Sequence, residues 1–157
     1  IESLIKEIMS SAKVTRLVFC GSSKGGSSAL YYGLKMKADA VICGSPQYNI
    51  LQYLQQNEYH KHILDAITNR EPENELFLSQ CIKKQLQENQ GATKIYLMSS
   101  TEEPSYETDI KYLLEDMSDC HINFYFEKAN YKIHSELSKV FPIYLTNILH
   151  SIENELH

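Results

Sequence analysis

Apolar residues recur along this chain in two rhythms. Short unbroken apolar runs alternate with stretches in which apolar positions return every three or four residues. The first rhythm is that of a strand covered on both faces, the second that of an amphipathic helix. Leu4, Ile5, Ile8, Met9 and Ala12 carry helical spacing and predict a helix over the first dozen residues. Leu17 to Cys20 is a brief apolar run stopped by glycine, which predicts a buried strand. Ala29, Leu30, Tyr32 and Leu34 continue a helix to about Lys37. Ala40 to Gly44 predicts a second strand, stopped by Gly44-Ser45-Pro46.

The pattern changes over residues 48–90. Ile50, Leu51, Tyr53 and Leu54 predict one short helix, and Ile63, Leu64 and Ile67 a second. Leu76, Phe77, Cys81, Ile82 and Leu86 predict a third, longer one, separated from the second by Asn69-Arg70-Glu71-Pro72. Lys94 to Ser99 then reads as a third strand, Tyr106 to Met117 as a helix, and Ile122 to Phe126 as a fourth strand. Leu137, Phe141, Tyr144, Leu145, Ile148, Leu149 and Ile152 form the apolar face of a terminal helix.

Strands that alternate with helices predict an α/β fold, a parallel sheet flanked by helices. The helical section between strands two and three is too long for a simple crossover. It is expected to be an insertion at the carboxyl edge of the sheet, where such folds place ligands, and is a candidate lid.

Composition narrows the class. A chain of 157 residues is most simply a single domain over 1–157, with 43% apolar and 22% charged residues, values typical of soluble globular chains. A net charge of −5, without a basic block, argues against nucleic acid as a partner. No apolar stretch approaches a membrane span, and no secretory signal opens the chain. The chain begins at Ile1 rather than Met, which suggests a processed product or a piece of something longer. Cys20, Cys43, Cys81 and Cys120 form no C-x-x-C pair. Their expected role is that of reduced core thiols in a cytoplasmic protein.

Candidate chemistry centres on Gly21-Ser22-Ser23-Lys24-Gly25-Gly26, between the first strand and the helix after it. A Walker loop needs its lysine after the last glycine, and here Lys24 precedes Gly25. The G-x-G-x-x-G spacing is absent as well. The G-x-S-x-G pattern fits, with Gly21, Ser23 and Gly25. Such an elbow lifts the serine hydroxyl above the sheet, and side chains two residues before and after would collide across the turn. The Lys24 N–H at the helix start is a candidate oxyanion donor. The bland alternative is a glycine-rich turn with surface serines.

A nucleophilic serine needs a base, and the base an orienting acid. In this architecture the order along the chain is serine, acid, histidine. Glu103 lies in the loop after the third strand, before Pro104, which should start the next helix. Glu102 is its rival, while Glu107 and Asp109 should already be helical. His134 follows the fourth strand, at the start of the terminal helix. His121 belongs to the opposite edge, and His150 and His157 lie late in the last helix. His60 and His62 are a lone H-x-H pair, expected at the surface, and no metal or other cofactor is expected. Tyr48, Tyr53 and Tyr59 of the inserted section are candidates for stacking on sugar rings.

At this point the chain resembles the carboxyl-terminal part of an α/β-hydrolase. GSSKGGSSALYYGLKMKADAVICGSPQYNI and the closing KIHSEL are similar to a bacterial group of serine acyl-transfer proteins linked to surface glycans. That group includes capsular polysaccharide biosynthesis proteins and the accessory secretion-system component implicated in O-acetylation. The resemblance implies Ser23 as nucleophile, His134 as base and Glu103 as acid. It implies an acyl ester or glycan substrate, and protein partners in a glycan synthesis or export complex. A complete hydrolase has several strands before the nucleophile, and one oxyanion donor usually comes from an upstream loop. Two rivals remain: a hydrolase-like module that binds a partner without catalysis, and a nucleotide-binding doubly wound domain.

Overall fold

The computed structural model describes every residue of the chain except 13, 57 and 155–157. Four strands form one parallel sheet in the order β1-β2-β3-β4: Val18–Ser22, Ala40–Gly44, Lys94–Ser100 and Phe124–Ala129. The helices are α1 (Glu2–Ser11), α2 (Lys24–Lys35), α3 (Ile50–Gln55), α4 (Lys61–Thr68), α5 (Pro72–Asn89), α6 (Lys111–Asp119) and α7 (Leu137–Asn154). Single turns at Glu58–His60 and His134–Glu136, and a π turn at Tyr106–Ile110, complete the chain.

Alternation along the strands sorts their side chains to two faces. Val41, Cys43, Ile95 and Leu97 pack with Ala29, Leu30 and Leu34 of α2, with Ile82 and Leu86 of α5, and with Leu113 and Met117 of α6. Ala40, Ile42, Tyr96 and Met98 point the other way, onto Leu137, Phe141 and Tyr144 of α7. Each β2 residue is buried, which explains its uniformly apolar run. The covered faces leave the C-terminal ends of the strands aligned: Ser22 pairs with Gly44, Gly44 with Met98, and Met98 with Glu127. The loops carrying residues 23, 45, 103 and 134 therefore leave from one edge of the sheet.

The section between β2 and β3 divides in two. Cys81, Ile82 and Leu86 of α5 belong to the main core, so this helix is the crossover that covers the sheet. Leu54 of α3, Leu64 of α4 and Leu78 of α5 make a separate small cluster, and the inserted part proper is α3 with α4.

Several sequence expectations need correction. The four cysteines are free thiols, but Cys20 is exposed rather than in the core. Among the described strands β1 ends the sheet on one side, with β2 on one flank only. α1 forms where its periodicity places it, yet it buries none of its residues: Leu4 and Ile8 remain more than half exposed. Pro104 sits in the turn before the π segment, whose cap is Ser105, rather than opening the helix. β4 starts at Phe124, because a left-handed turn at His121 and a hydrogen bond from the Ile122 N–H to the Met117 carbonyl still belong to the end of α6.

Candidate active site

β1 runs directly into Ser23, which caps α2 with φ 53° and ψ −128°. A non-glycine residue there is strained by about 1–3 kcal/mol, and surrounding bonds must hold it. The Ser23 N–H donates to the Gly44 carbonyl at 2.8 Å, and the Ser27 N–H to the Ser23 carbonyl at 3.1 Å. Gly21 is a steric necessity: a Cβ there would stand 2.3 Å from the Gly25 carbonyl oxygen. The same expectation fails for Gly25, where a Cβ would meet nothing within 4 Å. The second tight position is Gly26, wedged against the carbonyl oxygens of Gly21 and Gly44, each 3.2 Å from a Cβ placed on it. The backbone of α2 rises past Gly25 with its Cα hydrogens outward, so the close approach falls one residue later. Lys24 is the first helical residue, its side chain is exposed, and its N–H has no partner within the helix.

The structure brings Ser23, His134 and Glu103 together. His134 Nε2 lies 2.7 Å from Ser23 Oγ, and its Nδ1 is hydrogen-bonded to Glu103 Oε1. Glu103 is 3% exposed, while Glu102 faces solvent and lies 3.7 Å from Lys132. Burial pushes the Glu103 carboxyl up, but hydrogen bonds with His134 and Ser45 outweigh it and hold the pKa below its ordinary value. The hydrogen bond with Glu103 raises the His134 pKa, against a smaller opposing effect of burial.

Sequence reasoning overlooked the groups that hold these three. Ser45 follows β2 at φ 36°, and its hydroxyl donates to Glu103 Oε2 at 2.8 Å. The same hydroxyl lies 2.9 Å from Ser99 Oγ and 2.5 Å from the Tyr131 hydroxyl. Gln47, two residues on, places Nε2 at 3.2 Å from Ser23 Oγ. Ser27 ties Gln47 to α2 by donating to its backbone carbonyl at 2.9 Å. Asp109 then fixes the following backbone, accepting from the N–H groups of Tyr48 at 2.7 Å and Asn49 at 3.1 Å. The available signal was position: Ser45 and Gln47 leave β2 at the edge that also carries Ser23.

A cavity of about 520 Å³ opens beside His134 and Glu103, lined also by Gln47, Tyr53, Gln56 and Lys132. Tyr53 keeps an exposed ring here, with the His60 ring 5.1 Å away. His60 is thus half-buried rather than a plain surface residue. Tyr48 does not present its ring as a stacking surface, because it is buried and its hydroxyl donates to Asp116. Tyr59 is 82% exposed, and His62 and His150 face solvent. His121 stands before the N-terminal end of β4, at the opposite edge of the sheet, and His157 lies outside the described residues. Among the described residues no three His, Cys, Asp or Glu side chains form a group able to hold a metal ion. Among them, too, no helix is long and apolar enough to cross a membrane.

A strained serine at a strand-to-helix elbow, with parallel strands on one side and a histidine loop after the last strand, defines the architecture. The fold is α/β-hydrolase-like. The capsule O-acetyltransferase of Neisseria meningitidis serogroup A superposes with a TM-score of 0.79 at 17% identity, over 95% of this chain and 63% of that one. The Glycosylation Associate Protein (Gap123) complex from Streptococcus agalactiae gives 0.75 at 17% identity, over 96% of this chain and 31% of its counterpart. The Staphylococcus aureus fluorophosphonate-binding serine hydrolase FphF gives 0.65 at 14% identity, over 99% and 62%. This chain therefore spans less than two thirds of the length of each. No family model and no curated protein matches it.

Proposed function

We propose that this chain carries out serine-dependent acyl transfer or ester hydrolysis through Ser23, His134 and Glu103. The reading rests on one observation: His134 Nε2 within hydrogen-bond reach of the hydroxyl of a strained elbow serine, with Glu103 on the other ring nitrogen. In the neutral imidazole, Nδ1–H donates to Glu103, which leaves the Nε2 lone pair facing Ser23 Oγ–H.

His134 takes the Ser23 proton as Oγ bonds to the acyl carbon, and the Lys24 N–H binds the oxyanion of the tetrahedral intermediate. Gly21 lets the elbow backbone close against the Gly25 carbonyl, and Gly25 leaves open space beside the first turn of α2. His134 then protonates the departing oxygen, and the acyl group stays on Ser23. The acceptor, water in an esterase or a sugar hydroxyl in a transferase, gives its proton to His134 and attacks the acyl carbon; as the Oγ–acyl bond breaks, His134 returns that proton to Ser23 Oγ. Glu103 keeps the ring oriented and stabilises its cation throughout. Likeness to a capsule O-acetyltransferase supports acetylated sugars or polysaccharide as the substrate class. The 520 Å³ cavity beside His134 would take the acceptor, with α3 as its overhanging lid. Free thiols throughout fit a reducing, cytoplasmic setting.

A second reading has its own support. The likeness to the Gap123 complex favours a hydrolase-like module that serves a partner protein in a glycan-linked assembly. A serine-directed fluorophosphonate probe separates the two. Catalysis requires labelling of the full-length protein that disappears in Ser23→Ala and His134→Ala. A folded full-length protein that resists the probe leaves the binding module.

A further inference from the structure

We propose that Gln47 is a further catalytic residue, a side-chain hydrogen-bond donor to the oxygens on which negative charge develops during the Ser23 reaction. The inference rests on the serine-nucleophile reading above.

The hydrogen-bond inventory around Ser23 Oγ points to it. The hydroxyl has one hydrogen, and His134 Nε2 is 2.7 Å away as its acceptor. A third group within reach of Oγ must therefore donate. Gln47 does so only through its amide nitrogen, which lies 3.2 Å from Oγ. Its own oxygen lies 3.4 Å from Ser27 Oγ, and the nitrogen faces Ser23 because the single Ser23 hydrogen goes to His134. The Ser27 hydroxyl also donates to the Gln47 backbone carbonyl, and the bonds from Tyr48 and Asn49 to Asp109 fix the next two residues. Gln47 is 7% exposed, so its amide is held in place before any substrate binds.

An amide nitrogen carries two hydrogens. One goes to Oγ, and among the described residues the other meets no protein acceptor. Gln47 also lines the cavity beside His134 and Glu103. When Oγ bonds to the acyl carbon, the carbonyl oxygen becomes anionic within about one bonded-atom diameter of Oγ. The free amide hydrogen is placed to bind it there, opposite no competing acceptor. Lys24 supplies the backbone donor of the pair and Gln47 the side-chain donor, so both come from within residues 23–47. Preorganised donors of this kind act where water is excluded and need no rearrangement at the moment of reaction.

The test uses the full-length protein with a chromogenic acetyl ester and the fluorophosphonate probe. Gln47→Leu removes the donor, and Gln47→Glu keeps the shape but replaces the donor with an acceptor. Both variants are expected to lower kcat by roughly 10²–10³-fold, with KM changed less than threefold and the thermal midpoint close to wild type. Gln47→Glu should be the slower of the two, because its carboxylate repels the oxyanion. A kcat within threefold of wild type in both variants overturns the assignment while leaving the Ser23 reading intact. A rise in KM at constant kcat overturns it too, since that marks substrate binding alone. If the wild-type protein shows neither hydrolysis nor labelling, the nucleophile reading falls and this assignment falls with it.

Discussion

Two glycines of one motif should respond oppositely to the same substitution. A methyl group on Gly21 would lie 2.3 Å from the Gly25 carbonyl oxygen and 2.4 Å from its carbon. Both are backbone atoms at the start of α2, so no rotamer change relieves the contact. Ordinary contact begins near 3.4 Å, which requires the first turn of α2 to move by about 1 Å. Overpacking of this kind costs about 1–3 kcal/mol. In a protein of this size that lowers the melting midpoint by about 2–4 °C for each kcal/mol. The larger effect is on the site: Ser23 rides on that turn, and a 1 Å displacement of a reacting group costs about 100-fold in rate. Gly25→Ala meets nothing within 4 Å. Its effect on stability should lie between zero and a gain of about 1 kcal/mol, from reduced freedom of the unfolded chain. The assay is paired: thermal melts for stability, and the rate of fluorophosphonate labelling for the geometry of Ser23. Equal behaviour of the two alanine variants, whether both intact or both impaired, would refute the argument from backbone contact.

Other perturbations test the wiring behind the serine. His134 must be neutral to accept a proton, and Glu103 raises its pKa, so activity should climb with pH through a midpoint above the ordinary histidine value of about 6.5. Glu103→Gln removes the cause and should move that midpoint down while lowering the rate, as read from kcat/KM against pH. The same pair has two opposed linkage limbs. The raised His134 pKa contributes stability that is complete below the unfolded value and lost as pH rises through the folded one, whereas the lowered Glu103 pKa contributes stability lost as pH falls through its folded value. Melting midpoints followed across pH should therefore be flatter in Glu103→Gln than in wild type. Ser45→Ala deletes a hydrogen bond to a buried carboxylate and leaves Tyr131 and Ser99 to repair the gap. It should lower stability by about 2 kcal/mol and slow labelling by about tenfold, both measurable on one purified sample. Wild-type behaviour in both measurements would mean that Ser45 does not hold Glu103.

Much of the scaffold was legible because its signals are local. β2 shows as Ala40 to Gly44 since burial on both faces admits only apolar residues. The break between α4 and α5 shows as Asn69 to Pro72 because left-handed backbone at Asn69 and Arg70 and a proline at the helix start are chemically distinctive. The elbow shows for the same reason. Cys20 and α1 misled, because an apolar pattern states what a segment could bury and not whether anything lies across from it. Gly25 misled differently: the motif marks the turn, but which glycine touches backbone depends on where α2 rises relative to β2.

The order of residues along the chain therefore determined the elements, their alternation and the succession of three candidate side chains, Ser23, Glu103 and His134. Those follow from periodicity and turn chemistry, which act over a few residues. Only the tertiary structure decided that Glu103 rather than Glu102 meets His134, and that Ser45, Tyr131 and Gln47 stand around them. These contacts join positions 24 to 111 residues apart, and their distances depend on strand register and helix packing across the whole sheet edge. No local pattern carries that information.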